Sequence, residues 1–278
     1  MTYREVYESG VNTLKENDCK EAVLDARLLL EYVCGTNRND LLVHGDREVP
    51  SEAVKQYREC IFRRAGGEPV QYITGEQDFM GLTFKTHEST LIPRQDTECL
   101  VEEVMMHLHD GMRILDMCSG SGCILLSLLK YSNDCIGVGA ELQPQAVALA
   151  RENAENLGIE ATFIESDLFG QVEGKFDIIV SNPPYIESAV IDTLDREVRE
   201  HEPMSALDGG ADGLDFYRKI TEEAKGYLSR GGKIFYEIGY NQAEDVGELL
   251  RRSGYIDIVV KKDLAGLDRV VYATYLED

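Results

Sequence analysis

The chain has 278 residues, of which 43% are apolar, so it can bury a core and form one large domain or two smaller ones. No apolar run is long enough to predict a membrane-spanning helix, and the polar N-terminus lacks the pattern of a signal peptide, so we expect a cytoplasmic protein. The formal net charge of −23 disfavours binding to duplex DNA, because such binding needs a basic surface against the phosphates.

The cysteines show neither a disulfide pattern nor a metal-binding pattern. Their number is odd, no CxxC pair occurs, and the N-terminus carries no secretion signal. We therefore expect no disulfide framework and no metal site. The seven cysteines are Cys19, Cys34, Cys60, Cys99, Cys118, Cys123 and Cys135.

The first part of the chain, from residue 1 to about 66, is predicted to be helical. The segment Glu21–Val33 carries a dense set of apolar residues near a 3.6-residue period. A second helix is expected over Glu52–Ala65, with Ser51 as its N-cap. Gly66, Gly67 and Pro69 then interrupt the pattern, which predicts a small helical domain over residues 1–68.

Residues 69–92 change in character. Apolar residues between Val70 and Phe84 alternate with Gly75 and Gly81, a pattern that predicts a hairpin or short strands linking two domains. After Pro93, a helix is predicted over Thr97–Leu108.

The remainder of residues 93–278 alternates between strands and helices. This order predicts an α/β domain with a mostly parallel sheet covered by helices on both faces. The predicted strands are Arg113–Asp116, Cys135–Ala140, Ala161–Ile164, Phe176–Ser181, Lys233–Ile238, Ile256–Val260 and Arg269–Tyr275. The predicted helices are Ile124–Leu129, Pro144–Leu157, Asp215–Leu228 and Gln242–Arg252.

A glycine-containing turn between the first strand and helix of this domain is typical of a ligand site. The turn consists of Cys118, Ser119, Gly120, Ser121 and Gly122. Glycines let the backbone approach a ligand, and the helix N-terminus attracts a negative group such as a carboxylate. Asp116, at the strand end, would repel a pyrophosphate and attract a cationic amino group. The pattern therefore favours a cofactor bearing an amino acid over a dinucleotide, and a purely structural turn is the alternative.

Acidic residues follow the next two predicted strands. Glu141 lies about 20 residues after the turn, where a carboxylate can accept hydrogen bonds from both hydroxyls of a ribose; an exposed acid at a loop start is the alternative. Asp167 is placed to accept a hydrogen bond from an adenine amino group, with Leu168 packed on the ring, or else to cap a helix. Open α/β sheets bind ligands at the carboxyl ends of their strands, so these features together predict a ligand site.

The apolar strand Phe176–Ser181 runs directly into the tetrapeptide Asn182-Pro183-Pro184-Tyr185. The prolines stiffen this loop. The amide oxygen of Asn182 and the carbonyl of Pro183 are two fixed acceptors that can hold an NH₂ group in one plane, and Tyr185 offers a flat face to a planar substrate. We predict that these four residues bind substrate and perform catalysis chiefly by placing the reacting nitrogen, with a proline-rich structural turn as the alternative.

Longer stretches resemble one family. They are Pro69-Val70-Gln71-Tyr72-Ile73-Thr74-Gly75, Phe79-Met80-Gly81 and Leu91-Ile92-Pro93-Arg94-Gln95-Asp96-Thr97-Glu98, besides the glycine turn and the tetrapeptide. With them the chain resembles, over almost its whole length, the PrmC (HemK) family of peptide-release-factor glutamine N5-methyltransferases. The tetrapeptide is shared with adenine methyltransferases of DNA, whereas the first and third stretches are similar to this family in particular.

The resemblance implies a class I S-adenosylmethionine methyltransferase with a Rossmann-like sheet and a small N-terminal helical domain. It implies S-adenosyl-L-methionine as cofactor and the glutamine of the Gly-Gly-Gln motif in class I peptide chain release factors as substrate. By position, the segment Cys118–Gly122 with Glu141, Leu168 and Asn182 would hold the cofactor. The tetrapeptide would hold the glutamine, and the helical domain would contact the release factor.

Three residues depart from the family's usual pattern. Cys118 stands where glycine is usual, Glu141 replaces the more usual aspartate, and Gln95 stands where proline is common. We expect the first two to weaken cofactor affinity modestly. None of the three removes a group that the mechanism needs.

Two other functions compete with glutamine methylation. In the first, the tetrapeptide holds a flipped base, and the chain methylates an exocyclic amine, such as that of adenine, in a nucleic acid. The net charge of −23 and the lack of a basic recognition segment argue against it. In the second, the chain is a binding module without chemistry, which the intact tetrapeptide disfavours.

Overall fold

The structure, a computed structural model, describes residues 1–276. The helices are α1 (Tyr3–Glu16), α2 (Ala22–Cys34), α3 (Arg38–Val43), α4 (Ser51–Ala65), α5 (Val70–Thr74), α6 (Gln95–Met105), α7 (Cys123–Lys130), α8 (Pro144–Leu157), α9 (Arg196–His201), α10 (Asp215–Ala224) and α11 (Ala243–Arg252). The strands are β1 (Glu76–Phe79), β2 (Leu82–Lys85), β3 (Arg113–Met117), β4 (Ile136–Glu141), β5 (Thr162–Glu165), β6 (Phe176–Ser181), β7 (Leu228–Glu237), β8 (Ile256–Lys262) and β9 (Asp268–Thr274).

The chain folds into two compact units, the first of which is helical. It comprises Met1–Glu76 with Asp195–His201, and α1, α2 and α4 pack around its apolar core. The predicted helical character of this part of the chain is confirmed. The predicted cap of α4 is wrong, because Pro50 with extended backbone occupies the cap position and Ser51 is the first helical residue.

The segment Asp195–His201 joins the first unit although it is distant from it in sequence. There, Lys20 forms an ion pair with Asp195 (Nζ to Oδ1 2.7 Å), and Arg64 forms one with Glu197 (Nη2 to Oε2 2.7 Å). The division into residues 1–68, 69–92 and 93–278 stays a prediction. The second unit comprises Gln77–Leu194 and the described residues from Glu202 onward.

The predicted hairpin is present as β1 and β2. Met80 and Gly81 form its two-residue turn with φ values of 50° and 71°, as a tight hairpin turn requires. The residues before it form helix α5 instead of a strand. Pro69 caps the start of that helix, and Gly75 ends it with φ of 77°.

The second unit is built on a mixed sheet. Among the described residues, the sheet has seven strands in the order β5-β4-β3-β6-β7-β9-β8. The first five are parallel, and β9 runs antiparallel to β7 and β8. The predicted mostly parallel sheet is confirmed. Its order reverses at β3, which pairs with β4 on one side and β6 on the other, so a crevice forms at their carboxyl ends.

An apolar core lies on each face of the sheet. Along β6, Ile178 and Val180 belong to one core, whereas Ile179 between them belongs to the other. This alternation follows from the two-residue period of a strand. Helices α6, α7 and α8 contribute to the first core, and α10 and α11 to the second. Burial on both faces explains the continuous apolar run of β6.

The boundary between α10 and β7 differs from the prediction. The helix ends at Ala224 rather than Leu228, and the strand begins at Leu228 rather than Lys233. The backbone turns between them, where Tyr227 N donates to Ala224 O. Leu228 is fully buried and pairs with Phe176, so its apolar side chain belongs to the sheet rather than to the helix.

All seven cysteines lie within the described residues and none forms a disulfide. In residues 1–276 no helix has the length and apolar character needed to span a bilayer.

Candidate active site

The glycine turn begins where β3 ends. The backbone N–H groups of Cys118 and Ser119 both donate to the Ala140 carbonyl, at 2.9 and 3.2 Å, so the turn is tied to β4. Cys118 has φ of 61° and Gly120 has φ of 51°. Left-handed backbone is unfavourable for a side chain such as that of Cys118 and persists only where the surroundings impose it. A glycine at this position would adopt it without that strain.

Gly122, the cap of α7, is required by close packing. Its φ is 78°, and a Cβ added there would lie 2.7 Å from Phe163 Cζ and 3.3 Å from Ala150 Cβ. Both the backbone conformation and the space therefore favour glycine. The close approach brings the start of α7 against β5 and α8.

Glu141 is the last residue of β4, and its carboxylate is hydrogen-bonded to the glycine turn. Its Oε2 accepts a hydrogen bond from Gly120 N and its Oε1 accepts one from Gln143 N, both at 3.0 Å. The carboxylate is therefore held in one orientation at the carboxyl edge of the sheet. Each oxygen keeps a lone pair for a further donor.

Asp116 is completely buried under the turn. Its Oδ2 accepts a hydrogen bond from Leu125 N at 3.3 Å, whereas Oδ1 has no hydrogen-bond partner within residues 1–276. The pKa of this carboxyl is raised to about 8, chiefly by burial; the Leu125 N–H group opposes the rise, and the nearby charge of Glu141 adds to it. Asp116 therefore carries a proton in much of the neutral range.

Asp167 and Leu168 follow β5 in a tight turn. Residues 168–171 form a turn, so the alternative in which Asp167 caps a helix is wrong. Ser166 shapes the turn, since its hydroxyl donates to Leu168 O at 2.6 Å and accepts from Gln171 N at 2.9 Å. Leu168 has φ of 47°, a second strained residue beside Cys118 at this edge.

The tetrapeptide follows β6 at the same edge. Ser181 Oγ donates to Met117 O at 2.6 Å, which ties the end of β6 to the start of the glycine turn. Asn182 Nδ2 donates to Thr97 Oγ1 at 3.4 Å. The carbonyl of Tyr185 accepts from Gln242 Nε2 at 3.0 Å, so the loop is held at both ends.

A cavity of about 310 Å³ opens at this edge of the sheet, a size in the range of small-molecule sites. The predicted residues that line it are Cys118, Ser119, Gly120, Ser121, Glu141, Asp167, Leu168, Asn182 and Pro184. The other predicted residues, which lie outside its lining, are Asp116, Gly122, Pro183 and Tyr185.

Sequence reasoning missed part of the cavity wall. Leu91, Arg94 and Thr97 belong to it, and the family-specific pattern of their stretch is the signal that points to them. Arg94 forms an ion pair with Glu202. The segment Met204–Ala206 and the aromatic ring of Phe216 also line the cavity. No pattern in the sequence distinguishes these from ordinary loop and helix residues.

Gly209 lets a neighbouring loop pack directly on the tetrapeptide, and we expect Gly209→Ala to destabilise the site. The added Cβ would lie 2.7 Å from Tyr185 Cα and 2.9 Å from Pro184 O, and backbone atoms cannot rotate away. The expected loss is about 1–3 kcal/mol of unfolding free energy, together with reduced activity. Urea unfolding measures it. Gly247→Ala is the control, because its Cβ would meet only Ile258 Cγ2 at 3.7 Å; equal stability of the two variants would contradict the prediction.

Asp116 should make stability depend on pH. The pKa of Asp116 in the folded protein, about 8, lies above the ordinary aspartate value of 3.8, so the folded protein binds this proton more tightly and the unfolding free energy falls as pH rises between those values. Asp116→Asn should flatten that fall, and Glu155→Gln, at an exposed position of α8, should leave it unchanged. Unfolding free energies measured from pH 5 to pH 9 test this. The same slope in Asp116→Asn and wild type would contradict it.

Residues 5–75 match the family described as the PrmC N-terminal domain, and residues 94–199 match the methyltransferase small domain. A release factor glutamine methyltransferase from Geobacter sulfurreducens is 43% identical over 271 residues, 97% of this chain and 95% of that protein. A protein of the same name from Clostridium acetobutylicum is 39% identical over 280 residues, 98% of both chains.

Solved structures agree in fold. A methyltransferase from Pyrococcus furiosus matches with a TM-score of 0.54 and 20% identity, covering 71% of this chain and 90% of that one. A 16S rRNA methyltransferase from T. thermophilus, in complex with AdoMet and guanosine, matches with a TM-score of 0.51 and 19% identity, covering 72% of this chain and 49% of that one. These likenesses concern the class I methyltransferase fold. Because these relatives are 43% and 39% identical to it over almost the full length of both proteins, the chain belongs to the release factor glutamine methyltransferase family.

Proposed function

We propose that this chain transfers a methyl group from S-adenosyl-L-methionine to the side-chain amide nitrogen of the glutamine in the Gly-Gly-Gln motif of class I peptide chain release factors. One observation carries the proposal: Asn182 lies in the wall of the same cavity as the glycine turn and Glu141. The group that would accept a hydrogen bond from the substrate amide and the residues that would bind the cofactor thus line the same cavity, as direct methyl transfer between the two requires. Membership of the family supports the same substrate.

The residues around the glycine turn fit a cofactor that carries an amino acid and a nucleoside. Ser119 Oγ is buried and has no hydrogen-bond partner in the described part of the chain, so it is available to a polar group of the ligand. Glu141 would accept from the ribose hydroxyls through its remaining lone pairs. Asp167 would accept from the adenine amino group, and Leu168 and Phe216 would pack against the adenosine.

Asp116 and Gly122 would support the cofactor indirectly. Asp116 receives the Leu125 N–H group beneath the turn, and Gly122 provides the close packing of α7. Both keep the Cys118–Ser121 segment in the shape that the amino-acid part of the cofactor needs. A positive ammonium group near Asp116 would also favour the ionised carboxylate.

The tetrapeptide would orient the nitrogen that is methylated. Bound S-adenosyl-L-methionine supplies an electrophilic methyl group on a sulfonium sulfur, which keeps the electron pair of the broken carbon–sulfur bond. Asn182 Oδ1 and the Pro183 carbonyl would accept the two amide protons, which holds the NH₂ group in place and helps its lone pair leave conjugation. Tyr185 would offer its flat face to the planar amide. The methylated nitrogen then loses a proton to water, so placement rather than a strong base provides the catalysis.

The release factor is the proposed protein partner, with the N-terminal helical unit as its contact surface. Against the alternative of exocyclic-amine methylation in a nucleic acid stands the net charge of −23, which opposes the approach of duplex DNA. A non-catalytic module would not need Asn182 to face the cofactor cavity.

The proposal is tested by methyl transfer from labelled S-adenosyl-L-methionine. The acceptors are a purified class I release factor, the same factor with the glutamine of its Gly-Gly-Gln motif changed to alanine, and duplex DNA. We expect label in the unaltered factor alone. Label in both factors would place the acceptor elsewhere, and label in DNA without label in the factor would favour the nucleic-acid alternative.

A further inference from the structure

We propose that the ion pair between Arg94 and Glu202 positions the wall segment, residues 203–206, for binding of the substrate glutamine. Both are positioning residues, and the proposal rests on the proposed function, in which the tetrapeptide holds that glutamine. The two residues belong to the second unit, although 108 positions separate them in the chain. Within the wall segment, Met204–Ala206 forms a short helical turn that lines the cavity.

The wall segment lies between two buried residues and is itself open to solvent. Glu202 and Leu207 are buried, whereas Met204 and Ser205 are exposed. Exposed side chains remove little apolar surface from water, so packing fixes the segment only weakly. Its position therefore depends on the contacts made at its two ends.

Backbone hydrogen bonds fix the far end of the wall segment. Leu207 O accepts a hydrogen bond from Ile186 N at 3.0 Å, and Gly209 N donates to Ile186 O at 2.8 Å. Ile186 directly follows Tyr185, the last residue of the tetrapeptide. The wall segment is therefore tied, close to this end, to the loop that we assign to the substrate amide.

The ion pair fixes the other end of the wall segment. Glu202 Oε1 is paired with Arg94 Nη2, and the side chain of Glu202 is only 1% exposed. A buried carboxylate is strongly destabilised when a charged partner is removed, so the folded protein should keep this pair formed. Arg94 occupies the cap position of α6, in which Thr97 accepts a hydrogen bond from Asn182 Nδ2 at 3.4 Å. The start of one helix thus supports both the wall segment and the tetrapeptide.

A direct contact between Arg94 and the cofactor is the competing role. Arg94 is the one basic residue in the cavity lining within residues 1–276, where the acidic ones are Glu141, Asp167 and Asp208. The carboxylate of the cofactor would be attracted to an unpaired guanidinium. The pairing with Glu202 opposes this role, because a neighbouring negative charge cancels much of the attraction for a further anion.

Loss of the ion pair should affect the substrate more than the cofactor. The wall segment would be held at one end only, while the glycine turn and Glu141 would keep their own hydrogen bonds. The substrate glutamine would then sample more orientations, and its nitrogen would be aligned with the methyl group less often.

Hydrogen exchange and methyl transfer test the proposal in wild type, Arg94→Gln, Arg94→Lys and Glu202→Leu. The amides of Ala206 and Leu207 donate to Pro203 O and Met204 O, and we expect them to exchange at least about tenfold faster in Arg94→Gln and Glu202→Leu. In both variants kcat/KM for the release factor should fall about tenfold to a hundredfold, with cofactor affinity close to wild type. Arg94→Lys, which keeps the charge, should lose less than Arg94→Gln in both measurements.

Two controls separate local opening from general loss of stability. Amides of β6 should exchange as in wild type in every variant, because that strand is buried in the sheet. Arg252→Gln removes an exposed ion pair with Glu248 on α11, outside the cavity lining, and should change neither exchange of the wall segment nor turnover.

Unchanged exchange of Ala206 and Leu207 in both Arg94→Gln and Glu202→Leu would overturn the proposal. Wild-type turnover in variants whose wall segment exchanges faster would overturn its role in placing the substrate. Weaker cofactor binding in Arg94→Gln but not in Glu202→Leu would also overturn it, since Arg94 would then act on the cofactor directly. Absence of transfer to the release factor by the wild-type protein would instead overturn the proposed function, and exchange would still decide whether the ion pair holds the wall segment.

Discussion

Asn182→Ala should lower the rate of methyl transfer by about a hundredfold to a thousandfold, the usual effect of removing one positioned hydrogen-bonding group from an active site. The side-chain oxygen is the acceptor that we assign to the substrate amide, and its amide nitrogen is already engaged by Thr97. Truncation removes both contacts. The nitrogen of the substrate then samples many orientations, and few of them point its lone pair at the methyl group.

Cofactor binding should survive this substitution largely intact. Single-turnover rates and cofactor dissociation constants, measured on the same preparations, separate the two effects. Asn241→Ala is a matched control, since Asn241 is exposed in a turn outside the cavity lining. If Asn182→Ala transferred methyl groups as fast as Asn241→Ala, the assignment of Asn182 to the substrate would be wrong.

Glu141→Ala should weaken cofactor binding by about tenfold to a hundredfold, since hydrogen bonds to a charged group contribute about 1.5–3 kcal/mol. The variant loses the acceptor for the ribose hydroxyls and also leaves the N–H groups of Gly120 and Gln143 without their carboxylate partner. The turn should therefore loosen as well. Turnover at saturating cofactor should recover most of the wild-type rate, because Glu141 is assigned to binding and not to the reacting nitrogen.

Calorimetric titration with the cofactor measures this effect. Glu141→Asp is the informative control, because it keeps the charge and shortens the side chain by one methylene. It should bind at least several times more tightly than Glu141→Ala. Equal cofactor affinity in wild type and Glu141→Ala would show that the ribose is held by other groups.

Local sequence patterns were sufficient to predict most of the strands and helices of the second unit. The continuous apolar run Ile178–Val180 predicted a strand buried on both faces, and the structure places β6 in the middle of the sheet. The glycine turn after β3 was recognisable because positions 120 and 122 need left-handed backbone. Strand and helix boundaries in this unit mostly followed the periodicity, since amphipathic spacing reports directly on which side chains are buried.

Other features depended on contacts that no local pattern contains. The apolar residues of Val70–Thr74 fit a strand as well as a helix, and in the structure they form α5, whose Val70 and Ile73 are buried in the core of the first unit. The segment Asp195–His201 belongs to the first unit through ion pairs with residues far away in the chain. In the sequence, Phe216 is indistinguishable from other residues of a helix. Its place in the cavity wall follows only from the packing of α10 beside the cavity.

The sequence by itself determined the alternation of strands and helices, the glycine turn and the tetrapeptide, because each depends on neighbouring residues and on backbone preferences within a few positions. Only the tertiary structure decided which side chains share the cavity and which support it from behind. Thr97 and Asn182 are 85 positions apart, and Tyr185 and Glu237 are 52 apart. Their hydrogen bonds exist because the crossing order of the parallel strands brings the ends of β6 and β7 and the start of α6 to one edge.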